Sequence, residues 1–245
     1  WKLSVLTEKE GRSLKAVGKE DYESEASAQT ALATLRSQSR LTVESVTRRI
    51  DEHGRIKVTH TAPPLLYDLT ALQKDVNKRH GFSADKTLSI AQSLYEKKIT
   101  TYPRTGSRYI SEDVFEEVPV LLRKTGAAIK SPLNRNSVDN AKVTDHHAII
   151  PTEIAPSSSL PKEEKMIYDL VARRFIAVFY PECKISNTLV EGKVGSIPFK
   201  ASGKQTLKPG WKEVYAHEKK EKSKKDEEQE IPEFTIGEKG EHQPY

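Results

Sequence analysis

The chain has 245 residues, of which 36% are hydrophobic and 31% charged, a globular balance with room for one large domain or two smaller ones. No uninterrupted apolar run approaches the ~18 residues of a membrane span, and the single cysteine, Cys183, excludes an intramolecular disulfide and a Cys-rich zinc module. The net charge of +5 permits a polyanionic partner without demanding one.

The N-terminus opens Trp1-Lys2-Leu3, strand-like and without an initiator Met, so the chain is expected to be a piece of a longer protein. Residues 1–60 read mainly as strands. Leu3 to Thr7 and Leu14 to Val17 are strand segments with Gly11 as the turn between them. Ser24 to Ser37 carries Ala28, Ala31, Leu32 and Leu35 at helical spacing. Leu41 to Ile50 and Arg55 to Thr59 flank Asp51-Glu52-His53-Gly54, a hairpin turn by composition.

Residues 61–151 read as helices. One apolar stripe is Leu65, Leu69, Leu72 and Val76; a second is Leu88, Ala91, Leu94 and Tyr95; a third is Val114, Val118, Leu121 and Leu122. Ser111 is the expected N-cap of the third helix, with Glu112 and Asp113 favouring its N-terminus. Short helices joined by tight turns suit a helix-turn-helix or winged-helix unit, and equally an ordinary small bundle.

Residues 152–245 begin with a helix from about Pro161 to Tyr180, its core face formed by Met166, Ile167, Leu170, Val171 and Val178. Strand character then returns at Ser186 to Glu191, Ile197 to Ala201, Trp211 to Tyr215 and Phe234 to Ile236. The charge run Glu218 to Glu230 is expected to be a solvated loop. The order is β-rich, helical, β-rich. A helical block inserted into a β domain built from two chain halves is the simplest organisation.

Chemistry concentrates in Leu94-Tyr95-Glu96-Lys97-Lys98-Ile99-Thr100-Thr101-Tyr102-Pro103-Arg104-Thr105-Gly106-Ser107-Arg108-Tyr109-Ile110. Pro103 biases Tyr102 away from helix and fixes its own φ. An extended Tyr102-Pro103-Arg104 puts residues 102 and 104 on one side, with Cα atoms roughly 6–7 Å apart. A phenol can attack a phosphodiester and conserve the bond in a covalent link. A guanidinium can hold the same phosphate through two hydrogen bonds. Taken alone, a Tyr-Pro-Arg triplet is more often a tyrosine packed on a turn.

Its surroundings change that balance. The segment resembles the active-site region of type IA DNA topoisomerases, where a helix and short strand lead into Tyr-x-Arg-[Thr/Ser]. The intervening proline and the following Arg-Tyr are similar to the topoisomerase III branch. Asp145-His146-His147-Ala148-Ile149-Ile150-Pro151-Thr152 resembles that family's His-containing motif. Ala62-Pro63-Pro64-Leu65-Leu66 with Leu69-Thr70-Ala71-Leu72-Gln73 is similar to its entry into the tyrosine-bearing domain. Pro209-Gly210-Trp211 to Tyr215 and Ile231-Pro232 to Gly237 are weaker echoes, so the likeness covers nearly the whole chain.

That resemblance implies a mixed α and β fold: a β-rich arch domain whose first half is residues 1–60 and whose second half, with a connecting helix, is residues 152–245, and an inserted winged-helix-like, all-helical domain at 61–151 carrying the tyrosine. It implies Tyr102 as the nucleophile that joins a 5′ phosphate and Arg104 as the residue that positions that phosphate. His146 would lie by the DNA backbone, with Gln73 and Arg108 as further DNA contacts; His147 matches a variable position. The expected partners are single-stranded DNA and a missing N-terminal domain of the same chain, with a helicase left open. No metal site is expected here: adjacent His146 and His147 diverge and no third ligand is evident. Mg2+ would be bound by the missing domain, whose Asp-x-Asp pair does not occur in this chain. A bacterial-type cytoplasmic location is expected, and the piece alone is expected to be inactive.

One departure and two rivals remain. Many relatives carry an acidic residue where Gly106 stands, which leaves a local carboxylate for Arg104 unsupplied. A winged-helix DNA reader with a structural Tyr102 is the alternative, although the helix at 85–98 lacks the Arg, Asn and Gln cluster of a base-reading face. A recombinase-type tyrosine enzyme resembles this order of residues least, since His146 follows Tyr102.

Overall fold

The computed structural model describes residues 1–9, 12–38, 40–48, 50, 56–216 and 229–244. The chain divides into two compact units: one comprises Trp1–His60, Lys184–Lys208 and Lys219–Tyr245, the other Thr61–Cys183 and Pro209–Glu218.

The first unit is a closed sheet. Its strands are β1 (Ser4–Lys9), β2 (Arg12–Gly18), β3 (Arg40–Arg48), β4 (Val58–Thr61), β5 (Cys183–Val194), β6 (Ile197–Lys208) and β7 (Lys239–Pro244). The order β3-β7-β1-β2-β6-β5 closes through β5 onto β3, and β4 also lies beside β5. Alternation explains the closure: Leu14 and Ala16 of β2, Leu41 and Val43 of β3, and Phe199 and Ala201 of β6 are buried, while their neighbours along the strands face outward. Closing the sheet removes the free edges that would otherwise invite pairing with other chains. Helix α1 (Glu25–Ser37) starts at a Ser24–Ser27 capping box and contributes the fully buried Leu35 to this core.

Two backbones approach so closely in this unit that only glycine fits. A Cβ on Gly203 would lie 2.1 Å from the carbonyl oxygen of Gln229, and one on Gly192 would lie 2.4 Å from that of Thr42. Residues 229–231 thread beside β6 there: Lys204 N–H donates to Gln229 O and Ile231 N–H to Lys204 O. The Gln229 amide also bonds Lys15 O and Ser202 O, so this end of the charge run is built into the unit rather than solvated. Residues 217–228 of that run, the Gly11 turn and the 51–54 turn lie outside the described residues.

The second unit contains α2 (Leu69–His80), α3 (Ala84–Glu96), α4 (Glu112–Lys124) and α5 (Lys162–Phe179). Asp68 caps α2 through Ala71 N–H, and Gly81 ends it in the left-handed region, φ 70. Ser83 caps α3 through Lys86 N–H. Two apolar clusters lie on α5: Ile167, Leu170 and Val171 belong to one, Phe175, Val178 and Phe179 to the other. Strand-like stretches separate them, with Leu66 in one and Tyr67 in the other, and Ile149 opposite to Ala148 and Ile150.

Several expectations need correction. The second unit is not all-helical, since residues 97–110 and 143–160 contain no helix. Leu65 precedes α2 in irregular backbone and is only partly buried, because the helix starts at Asp68. The core stripe of α3 is Thr87, Ala91 and Leu94, which turns Leu88 and Tyr95 outward. Ser111 sits at the N-cap of α4 but makes no side-chain cap bond; Asn140 Oδ1 accepts the Glu112 N–H instead. Trp211 to Tyr215 is a 3-10 helix, Gly210–Tyr215, not a strand, and no strand spans Phe234 to Ile236.

Candidate active site

The residues singled out in sequence all fall within the second unit. Helix α3 ends in a Schellman turn: Lys98 N–H donates to Tyr95 O (2.8 Å) and Ile99 N–H to Leu94 O (3.0 Å). The left-handed position is Lys98, φ 59, rather than the usual glycine. Ile99 and Leu94 pack in the same cluster, completing the turn's apolar contact.

The chain then runs against residues 146–152. Thr152 N–H donates to Ile99 O (3.0 Å) and Thr101 N–H to Ile150 O (2.9 Å). Farther on, Ala148 N–H reaches Tyr109 O (2.9 Å), while Ile149 N–H reaches Tyr67 O (2.8 Å). This ladder brings His146 to Tyr102, with ring centroids 4.6 Å apart and planes tilted by 50°. The Tyr95 ring meets Tyr102 from the other element, edge to face at 5.2 Å. Tyr102 is half-buried and belongs to neither apolar cluster.

Arg104 is exposed and makes no hydrogen bond or ion pair among the described residues. It borders an open groove of about 510 Å³ together with Asp85, Leu88, Ser89, Gln92, Ser93 and Glu96. Positions 88, 92, 95 and 96 share one face of a helix. Tyr102, through the Tyr95 ring, and Arg104, through the groove, thus both lie beside the outward face of α3. His146 is exposed; its neighbour His147 is half-buried and donates from Nδ1 to Ala148 O (2.8 Å).

Two other candidates sit differently. Arg108 is half-buried and donates from Nε to Leu66 O (3.0 Å) and from a terminal nitrogen to Leu65 O (3.5 Å). Gln73 donates to Ala84 O (3.1 Å) and so links α2 to the start of α3. Both groups are engaged with backbone carbonyls. Thr101 and Thr105 were not assigned a role in sequence, yet their hydroxyls bond the backbone of residues 146–150. The signal that points to them is a hydroxyl on each side of a proline that lacks a donor.

Comparisons with known proteins agree on a single family. A family model described as DNA topoisomerase matches residues 1–244. The chain is 41% identical over 206 residues to a protein named DNA topoisomerase 3 from Bacillus thuringiensis (strain Al Hakam), covering 76% of this chain and 28% of that one. It is 43% identical over 195 residues to DNA topoisomerase 3 of Bacillus subtilis (strain 168), covering 71% and 26%. The solved structure of full-length topoisomerase I from Thermotoga maritima superposes with a TM-score of 0.59 at 22% identity, over all of this chain and 41% of that one. The chain thus spans about a quarter of the length of these curated relatives.

Proposed function

The chain belongs to the type IA DNA topoisomerase family, and from that premise we propose that it is the central part of a topoisomerase III-like enzyme that cuts one DNA strand, passes another and reseals the first. Tyr102 Oη attacks a backbone phosphorus; the bond from phosphorus to the 3′ sugar oxygen breaks. The 5′ phosphate stays on Tyr102 and the other end leaves as a 3′ hydroxyl, so the phosphoester is conserved and resealing is the reverse step. Arg104 holds the non-bridging oxygens through its planar fork. His146, in ring contact with Tyr102, is the proposed contact with the strand backbone beside the phenol.

The observation that carries this reading is a half-exposed tyrosine in contact with the rings of Tyr95 and His146, followed two residues on by an arginine that borders the groove of α3 and has no hydrogen bond or ion pair among the described residues. The bonds of Arg108 and Gln73 favour holding the unit together over touching DNA. Mg2+ is the ion that the family resemblance implies, and among the described residues no group of three or more His, Cys, Asp or Glu side chains is arranged to hold a metal ion. The proposal assigns that ion, as the family resemblance implies, to another part of the full-length protein, and no step here runs through it. Single-stranded DNA is the proposed substrate. The remainder of the chain, and a helicase, are the proposed partners.

One feature favours the alternative of a DNA-reading module. Residues 81–83 join α2 to α3 by a short turn, the connection length of a helix-turn-helix, and the winged-helix-like reading is drawn from that alone. The outward stripe of α3 argues against duplex reading, since it carries Asp85 and Glu96 rather than basic side chains. A covalent-trapping assay separates the two. Full-length protein is incubated with a labelled single-stranded oligonucleotide and denatured. Wild type is expected to retain label and Tyr102→Phe none; retention by the Phe variant removes Tyr102 from the reaction.

A further inference from the structure

Pro103 takes a donor away from the stretch of chain that must hold Tyr102 and Arg104 still. On either side of it, backbone bonds tie the strand to residues 146–152. Between residues 102 and 108 no backbone bond to that segment is present among the described residues. Two hydroxyls stand in. Thr101 Oγ1 donates to Ala148 O (3.1 Å) and accepts the Ile150 N–H (3.0 Å). Thr105 Oγ1 donates to His146 O (2.9 Å) and accepts the Ser107 N–H (3.1 Å).

Thr105 has the wider reach. It is 6% exposed, and its carbonyl accepts the N–H of Leu69, the first residue of α2 (3.1 Å). One residue thus joins the tyrosine strand, the histidine segment and a helix N-terminus. The His146 side chain is exposed and has no hydrogen-bond partner among the described residues. What locates it is the ring contact with Tyr102 and the tie from Thr105 to its backbone.

We propose that Thr105 is a positioning residue of the cleavage reaction, its hydroxyl holding His146 against Tyr102 through the His146 backbone, an inference that rests on the function proposed above. A valine in its place keeps the shape and loses the bond. The His146 carbonyl would then lack its tie, the only one among the described residues, to the tyrosine strand between Tyr102 and Arg108, and the imidazole would sample positions away from the phenol.

The test is a double-mutant cycle in full-length protein, read as the single-turnover rate of oligonucleotide cleavage. Thr105→Val is expected to slow cleavage about tenfold, a loss of one interaction's worth of transition-state stabilisation. Thr105→Ser keeps the hydroxyl and is expected to stay within about twofold of wild type. His146→Ala is slow, and adding Thr105→Val to it is expected to change little, because the threonine acts through the histidine. Multiplying effects, an unimpaired Thr105→Val or an unimpaired His146→Ala each overturns the proposal, as does a Thr105→Ser as slow as the valine. Thr105→Ala repeats the comparison if valine does not pack; loss of a cooperative melt in both would make the residue structural and also overturn it. Tyr102→Phe, run alongside, reports separately on the underlying reading: label retained there sinks the reaction itself, whatever Thr105 does.

Discussion

Arg174 reaches three oxygens: Leu65 O at 3.0 Å, Tyr67 Oη at 3.0 Å and Asp75 Oδ2 at 3.1 Å, with its guanidinium 4.0 Å from the centre of the Tyr67 ring. The Tyr67 hydroxyl donates to Asp75, and burial pushes its phenol up, so it stays a neutral donor. For Asp75, burial by itself raises the carboxyl, but the Tyr67 hydrogen bond and the Arg79 and Arg174 charges outweigh it and hold the group below its ordinary value. A carboxyl depressed by folding contributes stability that is present above its unfolded pKa, about 3.9, and is lost as pH falls through the folded value. Stability to urea is therefore expected to decline as pH drops from about 5 toward about 3. Asp75→Asn should lose part of that slope and cost about 3 kcal/mol near neutrality, because it leaves a mostly buried guanidinium without its carboxylate. An unchanged acid slope in the Asn variant would assign the effect to other carboxylates. Arg108 grips the carbonyl next to the one Arg174 holds. Sequence alone showed an arginine in a DNA-binding motif; it had no means of showing that the side chain turns inward to backbone.

Helix α3 shows what an element's end can do. The helix, its Ser83 cap and its stop before the Tyr-Pro-Arg segment follow from local chemistry. Lys98 is a non-glycine residue in the left-handed region, which costs roughly 1 kcal/mol. Lys98→Gly is expected to raise the stability of the unit by about that amount, read as a higher urea midpoint with an unchanged slope. A lower midpoint would mean that glycine's extra freedom in the unfolded chain outweighs the relieved strain. Elements misread in sequence failed for long-range reasons. Trp211, Val214 and Tyr215 are strand-favouring residue types spaced as on a helix, and Gly210 sits where a Cβ would lie 2.4 Å from the carbonyl oxygens of Pro181 and Glu182. Trp211 then donates its backbone N–H to Pro181 O (2.9 Å) and its indole N–H to Thr61 O (3.0 Å), bonds that curl the segment into a 3-10 helix. Phe234 is used as packing on the β core, with Lys9 Nζ 4.8 Å from its ring centre, and Gly237 at φ 85 delays the last strand to Lys239.

At the scale of the molecule, a closed sheet and a helical unit share one chain that crosses between them several times. The second unit sets a phenol against an imidazole, and among the described residues it contains no carboxylate cluster able to hold a metal ion. A protein consisting of residues 1–245 is expected to form no covalent adduct with a single-stranded oligonucleotide in the trapping assay, whereas the full-length protein should. An adduct with residues 1–245 alone would show that the site needs nothing further. The amino-acid sequence by itself determined the alternating strands β1 and β2 and the positions of helices α2 to α5, because each depends on sterics and periodicity over a few residues. Only the tertiary structure placed His146 on Tyr102, turned Arg108 inward, made Thr105 a tie between elements and threaded residues 229–231 past Gly203. Those partners are far apart along the chain, and packing free energy selects them only after the entropy of bringing them together has been overcome.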